Sequence, residues 1–70
     1  MPDKEKIKRF QGNLSGERDG SALYRVMAEA EKNPKLSEVY GKLADVEDRH
    51  ARFWEDQIKK EGGSLDKWKA

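Results

Sequence analysis

Apolar residues recur along the chain at intervals of three and four in two long stretches, which is the spacing of amphipathic helices. The first stretch runs from about Lys4 to Lys32 and the second from about Pro34 to Glu61. Between them Asn33 precedes proline, which disfavours a helical Asn33 and suits the first turn of a new helix, so Asn33 is the predicted N-cap. A connection this short makes the two helices antiparallel neighbours. The predicted fold is all-α, an antiparallel two-helix hairpin.

Three glycines, Gly12, Gly16 and Gly20, interrupt the first stretch, and each costs about 1 kcal/mol relative to alanine in a helix interior. One interpretation is that the helix begins only at Ser15 or Asp19, after a flexible tail. The other is a continuous helix whose glycines, spaced by four, share a face and let another backbone approach. The apolar spacing passes through the glycines without a change of phase, which favours the continuous helix.

Glycines also mark the end of the second stretch. Gly62-Gly63 is a typical helix stop, so we predict a hairpin domain over residues 1–63. Residues 64–70 are a short C-terminal extension, in which Ser64 can cap one more turn.

The composition limits how such a hairpin can be stable. Only 34% of the 70 residues are hydrophobic and 41% are charged, and a single core this small supplies about 3–5 kcal/mol. The chain has no cysteine, which excludes disulfides and thiolate metal sites. The remaining means of stabilisation are oligomerisation and a metal held by oxygen and imidazole ligands.

The charges exclude several classes of function. Fifteen basic and fourteen acidic residues are interleaved and leave a net charge of +1, so no basic patch indicates nucleic acid as a partner. The N-terminus, MPDKEKIKRF, has no apolar signal-peptide core, and no apolar run approaches the ~20 residues that cross a bilayer. We therefore expect a cytoplasmic chain with no membrane segment.

Ionisable residues occupy positions that the apolar spacing assigns to the core. The stripe of the first helix is Ile7, Phe10, Leu14, Glu17, Ser21, Tyr24 and Ala28. The inward face of the second helix is Leu36, Val39 or Tyr40, Leu43, Val46, Glu47, His50, Phe53, Trp54 and Ile58. Buried carboxylates are costly unless they are paired, protonated or bound to a metal.

The two sets of ionisable residues lie at one height. Glu17 is sixteen residues before Asn33 and His50 is sixteen after Pro34, so at ~1.5 Å per residue both lie roughly 24 Å from the turn. Glu47 is one turn from His50 on the same face. We therefore expect the three side chains to converge on facing helices.

One glutamate facing a Glu-x-x-His motif is half of the di-iron carboxylate site of four-helix bundles. A two-fold symmetric homodimer of this chain, a four-helix bundle, completes the site with four carboxylates and two imidazoles. These ligands, Glu17, Glu47 and His50, suit iron or manganese better than zinc or softer metals. Taken alone, Glu-x-x-His is typical of a solvated helix face, and His50 fits a core or interface position. The combination of stripe, spacing and height favours the metal.

Other residues near this level have simpler interpretations. Tyr24 can donate a hydrogen bond to a ligand carboxylate or simply pack in the core. Trp54, one turn from His50, is expected to pack around the site. Glu38 and Lys42 are expected to form a surface pair that stabilises the helix.

The stretch from Asn13 to Trp54 resembles the rubrerythrin-like domain of the ferritin superfamily that precedes the membrane part of bacterial vacuolar iron transporter family proteins. It is also similar to the encapsulated ferritins, which are two-helix half-ferritins. The resemblance rests on Glu17, on Tyr24 seven residues later, on the Asn-Pro-x-Leu turn from Asn33, and on Glu47-x-x-His50.

The resemblance implies a ferroxidase centre, an iron oxidoreductase site with two iron ions per dimer. Fe(II) would be oxidised by dioxygen at Glu17, Glu47 and His50, in the service of iron storage, detoxification or transport. It also implies higher assembly and, as partners, an encapsulating shell or a membrane transporter domain in cis. In the transporter relatives a basic, Trp-containing linker leads to the membrane part, and the resemblance implies that Leu65-Asp66-Lys67-Trp68-Lys69 is the start of such a linker, cut short. Encapsulated ferritins carry further acidic residues beside the first ligand, whereas here its neighbours are Gly16 and Arg18.

Two alternatives from other classes remain open. The hairpin can be a metal-free helical assembly or interaction module in which Glu17 and His50 form an interface ion pair. It can also be a manganese-binding domain without oxidase activity, which shares the ligands and differs only in redox chemistry.

Overall fold

Two helices joined by a short turn form the part of the chain that the computed structural model describes, residues 3–63. Helix α1 spans Lys4–Ala30 and helix α2 spans Pro34–Lys60. Lys6 near the start of α1 pairs with Glu61 just after the end of α2, so the helices are antiparallel. The predicted all-α hairpin is confirmed. Neither helix carries an apolar stretch long enough to cross a membrane.

Helix α1 begins at a capped N-terminus and continues through the glycines. The Asp3 carboxylate accepts a hydrogen bond from the Lys6 backbone N–H at 3.0 Å, which satisfies one of the free donors of the first turn. Because the helix is unbroken to Ala30, the alternative start at Ser15 or Asp19 is wrong.

The turn is fixed by side chains on both of its ends. The Asn33 side chain accepts hydrogen bonds from the backbone N–H groups of Lys35 and Leu36, which confirms it as the N-cap of α2. The Ser37 hydroxyl donates to the Ala28 carbonyl at 2.7 Å and so satisfies a carbonyl in the last turn of α1. Helix α1 ends two residues before the predicted Lys32.

Helix α2 ends in a glycine motif. Gly62 has a left-handed backbone with φ of 81°, and its N–H donates to the Lys59 carbonyl, while the Gly63 N–H donates to the Ile58 carbonyl. This pair of hydrogen bonds is a Schellman motif, which needs glycine at the left-handed position. The predicted stop at Gly62-Gly63 is confirmed, and the predicted extension over 64–70 lies outside the described residues.

The hydrophobic core lies in the half of the hairpin farther from the turn. Leu14, Ala51 and Ile58 are buried there, with Ile7, Phe10 and Trp54 packed against them. In the half nearer the turn the buried residues are small, Ser21 and Ala44, so this half contributes less apolar burial.

The face that α2 turns toward α1 differs from the prediction. Leu36, Leu43 and Phe53 are 45%, 37% and 54% exposed, whereas Ala44 and Ala51 are buried. Two helices alone bury only a narrow stripe of each other's surface. Where α1 and α2 come closest, the buried stripe of α2 is occupied by small side chains. Leu36, Leu43 and Phe53 therefore do not face α1, and their inward position in a four-helix bundle stays a prediction.

Candidate metal centre

Glu17, Glu47 and His50 meet in the middle of the hairpin. Each offers one ligand atom, and these atoms all lie within 4.8 Å of one another. Glu17 comes from α1, and the other two come from successive turns of α2. His50 Nδ1 lies 3.3 Å from Glu17 Oε2. The matching distances from the turn, sixteen residues on each helix, are what bring these side chains to one height.

The cluster lies at one edge of the interface between the helices. The Glu17 side chain is 23% exposed and that of His50 is 55% exposed, while Glu47 is half-buried. The site is therefore open to solvent on the side of His50. The inward position predicted for His50 does not hold within a single hairpin, for the same reason as for Leu43 and Phe53.

The proximity of the two glutamates changes the acidity of one of them. A hydrogen bond with Glu17, which Glu47 makes only when protonated, raises the pKa of Glu47 above its ordinary value of 4.5. Partial burial and the negative charge of Glu17 act in the same direction, and His50 opposes them. The ionised pair is therefore unfavourable without a nearby positive charge.

These donors fit a divalent cation. An ion held at about 2.0–2.2 Å by carboxylate oxygen and imidazole nitrogen leaves opposite ligand atoms a little over 4 Å apart. A cluster already within 4.8 Å needs only small side-chain rotations to reach that geometry. A cation there would also offset the repulsion between Glu17 and Glu47. Three protein groups leave coordination positions open for further ligands.

The opposite edge of the interface carries ion pairs between the helices. The next residue along a helix is turned by about 100°, so Arg18 and Asp48 point to this second edge. Arg18 pairs with Glu55 at 3.5 Å, and Arg25 pairs with Asp48 and with Asp45. Sequence reasoning missed these pairs; the available signal was an arginine or aspartate directly after each glutamate of the cluster.

Asp48 is the centre of this second edge. The hydroxyl of buried Ser21 donates a hydrogen bond to it, and Arg25 donates a second one. The Ser21 hydrogen bond first, and then Arg25, lower the pKa of Asp48 below its ordinary value of 3.8. Asp48 is thus held as a carboxylate with its partners inside the hairpin and is not directed toward the cluster.

The remaining predicted site residues have structural surroundings of their own. Trp54 packs against the core, with its ring centroid 5.3 Å from that of Phe10 and 4.9 Å from that of Phe53. Tyr24 is half-buried on the stripe that carries Glu17. Their roles at a metal centre stay predictions. The Glu38–Lys42 surface pair is present at 3.3 Å.

A helical hairpin that carries glutamates and a Glu-x-x-His motif at one level is typical of the ferritin-like class of folds. Comparison with family models gives the particular family: the model described as Rubrerythrin matches residues 10–70, a range that includes all three residues of the cluster. The chain belongs to the rubrerythrin family, and the resemblance to the ferritin superfamily is confirmed. Searches of curated proteins and of solved structures returned no match.

Proposed function

We propose that this chain is a ferroxidase that works as a homodimer, oxidising Fe(II) with dioxygen at a centre to which each copy contributes Glu17, Glu47 and His50. The observation that carries the proposal is the convergence of these three side chains within 4.8 Å. Two carboxylates and an imidazole are ligands that iron accepts, and membership of the rubrerythrin family supports ferritin-like metal binding.

The dimer is supported by the face that borders the cluster. Leu43 lies seven residues before His50 and so follows the same line of α2; Val39 is one turn further from it. Leu43 is 37% exposed and Val39 is 48% exposed. A second copy seated on this face would cover these side chains and add its own three ligands beside the first set.

The redox chemistry explains why two copies are needed. Two Fe(II) ions give one electron each, and these two electrons with two protons reduce one dioxygen to hydrogen peroxide, leaving two Fe(III). The residues of one copy offer two carboxylates and one imidazole, and two copies offer four and two, the complement of a two-iron site. Glu17 and Glu47 must be ionised and His50 neutral in order to bind, so acid should release the metal.

The test compares two variants in which a different glutamate is replaced by glutamine. Glu47→Gln removes a ligand, whereas Glu38→Gln removes a surface carboxylate that pairs only with Lys42 among the described residues. Fe(II) binding is measured without oxygen by calorimetry, and the appearance of Fe(III) in air by absorbance. We expect Glu38→Gln to match the parent and Glu47→Gln to lose both signals. Equal oxidation by the parent and Glu47→Gln would exclude the ferroxidase proposal.

One contact favours a second candidate function, a metal-free assembly module. His50 Nδ1 lies 3.3 Å from Glu17 Oε2, and this contact can hold the edge of a dimer interface without a metal. Native mass spectrometry with and without a chelator separates the two functions. A dimer that is unchanged by chelation, in a chain that binds neither Fe(II) nor Mn(II), would support the assembly module. Binding of Mn(II) without Fe(II) oxidation would support the manganese site.

A further inference from the structure

Gly20 lies where α1 passes the side chain of Glu47. A Cβ atom at this position would be 3.1 Å from Glu47 Oε2, 3.3 Å from its Cδ and 3.5 Å from its Cγ. Carbon contacts are normally about 3.5–4.0 Å, so the Glu47 carboxylate occupies space that any other residue's side chain would need. Gly20 is three residues after Glu17 and therefore on the same side of α1.

The other two glycines of α1 make no such contact. A Cβ atom at Gly12 or Gly16 would have nothing within 4 Å among the described residues, and both residues are exposed. The expectation that the three glycines together admit another backbone is wrong within the hairpin: only Gly20 is approached, and by a side chain. Gly12 and Gly20 thus share a helix and a residue type, but Gly12 is exposed whereas Gly20 is partly buried and is contacted by Glu47.

We propose that Gly20 is a positioning residue for the metal centre: by lacking a side chain, it lets the Glu47 carboxylate rest against α1 beside Glu17 and His50. This inference rests on the proposed function. Metal–ligand distances are tolerant to only about 0.2 Å, and a methyl group at Gly20 would displace Glu47 by a few tenths of an ångström. The displaced group is the end of a flexible side chain, so the carboxylate moves and the helix does not.

The experiment compares Gly20→Ala with Gly12→Ala in the whole chain. Both substitutions replace glycine by a better helix former, so both metal-free variants should be at least as helical as the parent by circular dichroism and should melt several degrees higher. Fe(II) binding is then measured without oxygen by calorimetry. Gly12→Ala should keep the parent's dissociation constant, and Gly20→Ala should weaken it by about 10- to 100-fold, as is common when a group that orients a ligand is changed.

Each other result has a defined meaning. If Gly20→Ala binds Fe(II) as tightly as Gly12→Ala, the positioning role is excluded while the metal site stands. The same conclusion follows if Gly12→Ala weakens binding equally, because helix stiffness and not the Glu47 contact is then responsible. A Gly20→Ala chain that loses its helices also contradicts the inference, since only a side chain should move. If the parent itself does not bind Fe(II), the proposed function fails, and this inference fails with it.

Discussion

Removing apolar side chains beside the cluster should dissociate the proposed dimer. The double variant Val39→Ser, Leu43→Ser acts on side chains that are 48% and 37% exposed in the hairpin. Burying a whole Val or Leu side chain contributes roughly 2 kcal/mol, so covering these exposed fractions contributes about 1.5–2 kcal/mol per copy. Twofold symmetry doubles this value, and about 3–4 kcal/mol corresponds to two to three orders of magnitude in the dissociation constant of the dimer.

A matched control lies on α1. Leu23 and Val26 are 59% and 62% exposed, and each follows a stripe residue, Ser21 or Tyr24, by two positions, which places it away from the cluster. The double variant Leu23→Ser, Val26→Ser removes the same two side-chain types from this other surface. It should leave the dissociation constant within a few-fold of the parent.

The assay is sedimentation velocity over a range of protein concentrations, without metal and with Fe(II) under nitrogen. The Val39→Ser, Leu43→Ser chain should be monomeric where the parent is dimeric, and it should bind Fe(II) more weakly because the second set of ligands is lost. If this variant dimerises like the parent while the Leu23→Ser, Val26→Ser control does not, the dimer uses another face of the hairpin, and the shared metal centre is excluded.

Three further predictions test packing and charge. Leu14→Ala removes a fully buried side chain and should cost about 2–5 kcal/mol, comparable to the whole stability of a core this small, so helicity by circular dichroism should fall sharply at micromolar concentration. Glu47→Gln should raise the melting temperature of the metal-free chain at pH 7 but not at pH 4. The pKa of Glu47 is raised in the folded state, so ionisation of this carboxyl at higher pH destabilises the parent's fold, and glutamine does not ionise. Asp48→Asn should lower the melting temperature at pH 7. The difference in melting temperature between this variant and the parent should vanish as the pH falls through the folded pKa of Asp48, which lies below 3.8. Below that pH the carboxylate has lost its charge in both the folded and the unfolded state. An unchanged pH profile in either variant would contradict the assigned partners.

The ends of α2 and the level of the cluster along the hairpin could be predicted from sequence because both follow from local rules. Asn33-Pro34 and Gly62-Gly63 fix the ends of α2 through capping, and a constant rise per residue brings Glu17 level with His50. These rules need no knowledge of how the helices are rotated about their axes.

That rotation is what the sequence could not provide. The apolar positions of α2 cover a broad arc, and one partner helix can bury only part of it, so the choice of Ala44 over Leu43 depends on how closely the helices approach. The ion pair between Arg25 and Asp48 could not be predicted for a related reason. In a chain that is 41% charged, charged residues occur on every side of each helix, and their spacing does not identify which of them form pairs. The contact between Gly20 and Glu47 could not be predicted either, because it depends on the rotation of both helices.

The two edges of the hairpin differ in a way that bears on how the proposed dimer would associate further. Ion pairs of Arg18 with Glu55 and of Arg25 with Asp48 link the helices at one edge, and the exposed side chains of Val39 and Leu43 border the cluster at the other. A hairpin with an association surface at both edges could add copies on either side and extend into a filament. If the proposed dimer forms through the cluster edge, the second copy covers the apolar surface that a third copy would need at that edge. In the proposed dimer, growth through the cluster edge would therefore stop at a closed pair.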